Sequence, residues 1–306
     1  MNADVERRPA GSLAWTTERA NWPHAASSRF HSAGGLRWHV QQTGDGPPVL
    51  LIHGTGASTH SWRALMPLLA RRHTVIAADL PGHGFSERKR GQRLTLGRMA
   101  GAVAALVEAL DVRPALAVGH SAGAAILIRC CLDGTLTPDG LVAVNGALLP
   151  FRGVAGWLFP SLARVMFLNP LAPWLIARSA ADRDRVVKLI RDTGSELDDA
   201  GIDLYARLFA SPAHVGATLN MMANWDLRGL ARELSGLDVP LLLLAGEHDE
   251  AVKPQDAEQV ARRIAGARVQ RLPGLGHLAH EEDAAAVAEP IEAFARSTIG
   301  AADPGA

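Results

Sequence analysis

Short β-type runs recur along the chain, each closed by a turn-rich loop and most followed by residues at helical spacing. They are Val49–Ile52, Thr74–Ala78, Ala115–Val118, Leu141–Val144, Pro240–Leu244 and Ala267–Leu272. Most lack polar alternation, as strands of a parallel sheet covered on both faces do. Helices are expected near Ser61–Arg71, over Leu96–Leu110 with Thr95 as cap, over Ser121–Leu132, and near 255–265 and 283–297. Upstream, Arg29–His31 and Leu36–Val40 flank Gly34–Gly35 and read as a hairpin. The fold class is therefore α/β, a mostly parallel sheet with helices on both faces.

A chain of 306 residues suits one such core with an insertion. Residues 1–149 and 229–306 carry the α/β rhythm, with 1–24 as a loose N-terminal arm. Residues 150–228 break it, being rich in Trp157, Trp174, Met221, Met222 and Trp225 with little alternation. They read as a helical lid above the C-terminal edge of the sheet. Trp157, Trp174, Met221 and Trp225 become candidates for lining an apolar pocket, though the same residues could simply be the lid's own core.

Basic and acidic residues number 31 each, and no basic stripe appears, so nucleic acid is not an expected partner. The longest uncharged apolar stretches lie between Arg152 and Arg178 and are split by Arg164, too short for a transmembrane segment. Met1–Pro9 is polar and charged, without the pattern of a secretory signal. Cys130 and Cys131 are neighbours that cannot readily bridge each other and fit buried thiols. A cytoplasmic location is expected, with peripheral membrane contact through Trp157–Phe159 and Trp174–Ile176 as the lesser alternative.

Gly119–His120–Ser121–Ala122–Gly123 follows an apolar run and opens an Ala-rich helix. This is the G-x-S-x-G elbow in its structural context. So tight a turn needs small flanking residues, which Gly119 and Gly123 supply. Ser121 Oγ would stand free at a helix N-terminus, where developing negative charge is favoured. A plain glycine-rich turn is the competing explanation. The acid and then the base should follow in loops after later strands. After Leu241–Leu244 come Glu247 and Asp249, with Asp249 favoured as acid. The loop after the preceding strand offers Asn145 and no carboxylate. After the final strand, His277 follows Gly274–Leu275–Gly276 and would act as general base and then general acid, with His280 as rival. Backbone N–H groups of Thr55 and Ala122 are the expected oxyanion donors. His53, Asp79 and His83 read as loop-stabilising. No cluster has metal-ligand spacing, so neither metal nor cofactor is expected.

Together, His53–Gly54, Asp79–Gly84, the Ser121 elbow, Gly246–Asp249 and Gly276–His277 resemble the α/β-hydrolase superfamily over about residues 30–297. A narrower set resembles the magnesium-chelatase accessory proteins of bacteriochlorophyll synthesis. It comprises Arg29–Phe30, Ala33–Val40, His53–Trp62, Gly119–Ala125, Met221–Trp225 and Leu272–Glu282. That resemblance implies a place near magnesium insertion into a tetrapyrrole, with a magnesium-chelatase subunit as a partner. It names a pathway better than a reaction. Ser121 departs from the aspartate nucleophile of haloalkane dehalogenases and epoxide hydrolases. Thr55 interrupts the glycine run that some lipases carry after the early-strand histidine.

Two functions remain open on the sequence. One is a serine hydrolase acting on an ester-like bond of a small hydrophobic substrate, a tetrapyrrole among the candidates. The other is a non-catalytic tetrapyrrole-binding or chelatase accessory protein, against which the undegraded motif set argues.

Overall fold

The computed structural model describes residues 11–150, 169, 171–180 and 182–299. Strands β1 (Ser28–Ala33) and β2 (Leu36–Thr43) form an antiparallel hairpin. Its turn residues Gly34 and Gly35 have φ of +58° and +72°. Two successive positive φ values define the turn whose twist matches a hairpin, and glycine adopts them without strain.

The remaining strands are β3 (Pro48–Ile52), β4 (Thr74–Ala78), β5 (Leu116–His120), β6 (Gly140–Val144), β7 (Leu241–Gly246) and β8 (Arg268–Leu272). Eight strands form one sheet in the order β1-β2-β4-β3-β5-β6-β7-β8, parallel from β4 onward. Every residue of β5, β6 and β7 is buried, which explains their lack of polar alternation.

Alternate residues feed two cores. Leu50, Ile52, Ala117, Leu141, Ala143, Leu241 and Leu243 face α3 (Leu96–Ala109) and α4 (Ala122–Leu132). Val49, Leu51, Val118, Val142, Val144, Leu242 and Leu244 face α2 (Leu65–Leu69) and the C-terminal helix that ends at Thr298. Each fully buried Leu, Ile or Val contributes about 1.5–3 kcal/mol.

Two expectations need correction. Residues 11–24 are not a loose arm. Helix α1 (Trp15–Glu18) brings Trp15 edge-on to Phe30 and Phe85, and Trp22 is buried against Phe85. The polar composition hid two anchoring tryptophans. The helix expected over Ser61–Arg71 is a short 3-10 turn, Thr59–Trp62, followed by α2. Pro67 lacks an N–H and so belongs in a first helical turn, which delays the start to Leu65.

Between β6 and β7 the described residues form helices and no strand. They are α5 (Ala172–Ser179), α6 (Arg183–Arg191), α7 (Asp199–Phe209), α8 (Pro212–Ala223) and α9 (Arg228–Glu233). Asp182, Asp198 and Ser211 cap α6, α7 and α8 through their side chains. After β7 come α10 (Pro254–Ala261), α11 (Ala279–Glu282) and α12 (Ala284–Thr298). No described helix is long and apolar enough to cross a membrane.

Candidate active site

Ser121 joins β5 to α4 with φ +50° and ψ −115°. A non-glycine residue held there is strained, and such strain persists where the surroundings over-determine it. Here the surroundings are two missing side chains. A Cβ on Gly119 would overlap Ala124 N, and one on Gly123 would overlap Ile52 O and lie 2.7 Å from His53 O. Both clashes are with backbone, so no rotamer relieves them. Ser121 Oγ caps nothing in α4, and Ser121 is only partly buried. The nucleophile candidate is therefore presented, not consumed by the fold.

The loop after β3 lies directly against this elbow. A Cβ on Gly54 would come within 3.0 Å of Ser121 Cβ and 2.8 Å of His120 Nδ1. Thr55 follows, and neither its N–H nor that of Ala122 donates a backbone hydrogen bond among the described residues. Ala122 opens α4, where the first N–H groups have no partner within the helix.

Asp249 is buried in the loop after β7, while Glu247 is exposed. Oδ1 of Asp249 accepts from Ala251 N and Val252 N at 2.8 and 2.7 Å. Oδ2 accepts from Asn145 Nδ2 at 2.7 Å and pairs with His277 Nδ1 at 2.8 Å. Four donors thus hold the carboxylate, and its bond to Nδ1 leaves Nε2 as the free base position. His277 Nε2 makes no hydrogen bond among the described residues. The expected acid and base are paired, and the His277 ring meets His120, the residue before Ser121. The His120 Nε2–H donates to His277 O at 2.9 Å, and the two rings lie 4.8 Å apart.

His280, the rival base, is turned elsewhere. Its Nε2 meets Ser61 Oγ at 2.8 Å, and its ring packs on Trp62 and His120. Burial, with the neighbouring charges of His277 and Arg63, pushes its pKa down to about 3. It is a neutral packing element. His120 is likewise held neutral, chiefly by burial.

Sequence reasoning missed the cluster next to it. Glu281 is buried, and its Oε1 accepts from Ser61 Oγ at 2.6 Å and from Tyr205 Oη of α7 at 2.7 Å. Its Oε2 pairs with Arg63, which also reaches Asp198 at 3.2 Å. Burial raises the Glu281 pKa against these partners. Asn145 was visible only as a position lacking a carboxylate. Its φ of +49° at the end of β6 is what aims it at Asp249.

The histidine and aspartate read as structural hold loops. His53 Nδ1 donates to Gly54 O at 2.7 Å while Nε2 accepts from Leu80 N at 2.9 Å, so both ring nitrogens are used. Asp79 accepts from His39 Nδ1, Thr59 N and Phe85 N at 2.8, 2.7 and 2.8 Å; burial pushes its pKa up, but the His39 and His53 rings and the Phe85 N–H outweigh it and hold the pKa below the usual carboxylate range. His83 is buried between His53 and His214.

The pocket candidates divide. Trp157 lies outside the described residues. Met221 is fully buried, and its sulfur accepts from Thr55 Oγ1 at 3.5 Å, so it abuts the expected oxyanion loop. Trp225 packs against the α3–α4 core. Trp174 is 53% exposed on α5.

A family model described as alpha/beta hydrolase fold matches residues 47–284. The magnesium-chelatase 30 kDa subunit of Rhodobacter capsulatus is 42% identical over 264 residues, covering 86% of this chain and 92% of that protein. A pyrrolizixenacetamide deacetylase of Xenorhabdus hominickii is 29% identical over 78% of this chain and 87% of its own length. The crystal structure of an alpha/beta hydrolase fold protein from Burkholderia ambifaria superposes with a TM-score of 0.73 at 26% identity, covering 86% of this chain and 96% of that one. With a family match across most of its length, this chain belongs to the α/β-hydrolase family.

Proposed function

We propose that this chain is a serine hydrolase that cleaves an ester-like bond of a hydrophobic substrate, with Ser121, Asp249 and His277 as its triad. The observation that carries the proposal is the Asp249–His277 bond of 2.8 Å, with the His277 ring 4.8 Å from that of His120, the residue before a serine held at φ +50°. His277 Nε2 takes the Ser121 proton as Oγ attacks the carbonyl carbon. Asp249 fixes the ring and stabilises the imidazolium that forms. The tetrahedral oxygen receives the Thr55 and Ala122 N–H groups, each worth on the order of 10²–10³ in rate. His277 then protonates the departing alcohol, and water, deprotonated by the same ring, releases the acid and restores Ser121.

The helices between β6 and β7 would act as the cap of the site. The 42% identity to a magnesium-chelatase 30 kDa subunit supports a role beside magnesium insertion in a tetrapyrrole pathway, with a chelatase subunit as partner. Wild type should turn over p-nitrophenyl esters and be labelled by a fluorophosphonate probe, and Ser121→Ala should lose both. A wild-type protein inert to probe and ester would overturn the hydrolase assignment and leave a binding or accessory role.

A further inference from the structure

We propose that the loop between α6 and α7, residues 193–196, positions the acid and the base together, with Ser195 as its principal positioning residue. The proposal rests on the assignment of Asp249 and His277 given above. The loop touches the residue on either side of each of them. Beside Asp249, Glu250 N donates to Thr193 O at 3.1 Å, and His248 O lies so close to Gly194 that a Cβ there would overlap it. Beside His277, Leu278 N donates to Ser195 Oγ at 2.8 Å, and Gly276 meets Gly194 O with no room for a Cβ.

Glu282 closes the arrangement. One of its oxygens accepts from Glu196 N at 3.3 Å and the other from Gly276 N at 2.9 Å. Ser195 is fully buried, so its hydroxyl has no water to exchange for the Leu278 N–H. Gly194 has φ +83° and is the only residue type that permits this approach of three backbone segments without strain.

Thr193–Glu196 belongs to the stretch between β6 and β7, whereas Asp249 and His277 lie on loops of the sheet. The acid–base geometry therefore depends on docking of a segment outside the sheet. A loop that stands against both catalytic loops sets their separation. Removing its hydroxyl should let the His277 loop drift, held on the elbow side only by the His120 bond to His277 O.

The test uses the full chain. The downfield proton NMR resonance of His277 Nδ1–H, identified by its disappearance in Asp249→Asn, reports the acid–base bond independently of turnover. Ser195→Ala should broaden or shift it and lower kcat for a p-nitrophenyl ester by about 10- to 100-fold, as small misplacements do, with KM nearly unchanged. Ser195→Thr, which keeps the hydroxyl, should restore both. Glu282→Ala, farther from the core, should show the same trend and decides the matter if Ser195→Ala does not fold. Folded variants with wild-type resonance and kcat would overturn the proposal and leave the hydrolase assignment intact. A responsive resonance in a protein that hydrolyses nothing would do the reverse.

Discussion

Acidification should unfold this protein from within. His214 bridges α8 to two loops, its Nδ1 accepting from Gly84 N at 3.1 Å and its Nε2–H donating to Gly56 O at 3.0 Å. Burial lowers its pKa from 6.5 to about 4, and burial lowers that of His280 to about 3. In the unfolded chain both rings return to the ordinary value. Between those limits the unfolded state binds more protons, so stability rises with pH. The contribution is fully present above pH 6.5 and is lost as pH falls toward the folded values. At pH 5.5 each unfolded ring is about 90% protonated and each folded ring nearly unprotonated, a difference of about 1.8 protons for the pair. At about 1.4 kcal/mol per proton per pH unit, the slope is about 2 kcal/mol per unit. Integrated from pH 6.5 to 4.5, the loss is about 4 kcal/mol, much of the 5–15 kcal/mol a domain typically has. His53, His60, His83 and His120, also lowered by burial, add to it. Glu281 runs the other way, because its raised pKa lets the folded state keep a proton the unfolded chain gives up. Urea unfolding followed by tryptophan fluorescence from pH 4.5 to 7 measures the slope. His214→Gln should remove about 1 kcal/mol per pH unit of it near pH 5.5. A stability that is flat or rising as pH falls from 6.5 to 5 would refute the account of these rings as neutral and buried.

Two further outcomes concern the site. Asn145 Nδ2 and His277 Nδ1 meet the same oxygen of Asp249, so a carboxylate at position 145 stands within reach of the base. Asp249→Asn should abolish ester turnover, and adding Asn145→Asp should restore at least tenfold of it, about 1.4 kcal/mol of barrier, in stopped-assay kcat/KM. Gly54→Ala should drive a methyl into His120 Nδ1 and Ser121 Cβ, costing about 1–3 kcal/mol in unfolding free energy and slowing fluorophosphonate labelling.

The sheet was legible because its strands are continuous apolar runs, and Ser121, Asp249 and His277 could be named as candidates because each follows such a run. Glu247 and His280 could be set aside only with coordinates, since a loop carboxylate and a buried ring look alike in a string of letters. The Glu281 cluster left no trace in the sequence. Its Arg63, Tyr205 and Ser61 are up to 220 positions away, and pairings of that span follow no periodicity. The Ser195 contact was hidden for the same reason. Trp15 and Trp22 misled because a polar segment was judged by its average and not by its two largest side chains.

His120 Nε2 closes on the carbonyl of His277 across 157 positions. At 5–20 residues per second a ribosome needs about 8–30 s to travel from one to the other. Throughout that interval the elbow can exist without the imidazole proposed to activate its hydroxyl. The sheet face formed by Val49, Leu51, Val75 and Val118 also lacks Val287, Ile291 and Phe294, which cover it and emerge later still. If His277 is the base, chemical competence and closure of that apolar face both wait for the segment from 277 to 294, and a nascent protein that stalls before it would be both inert and adhesive.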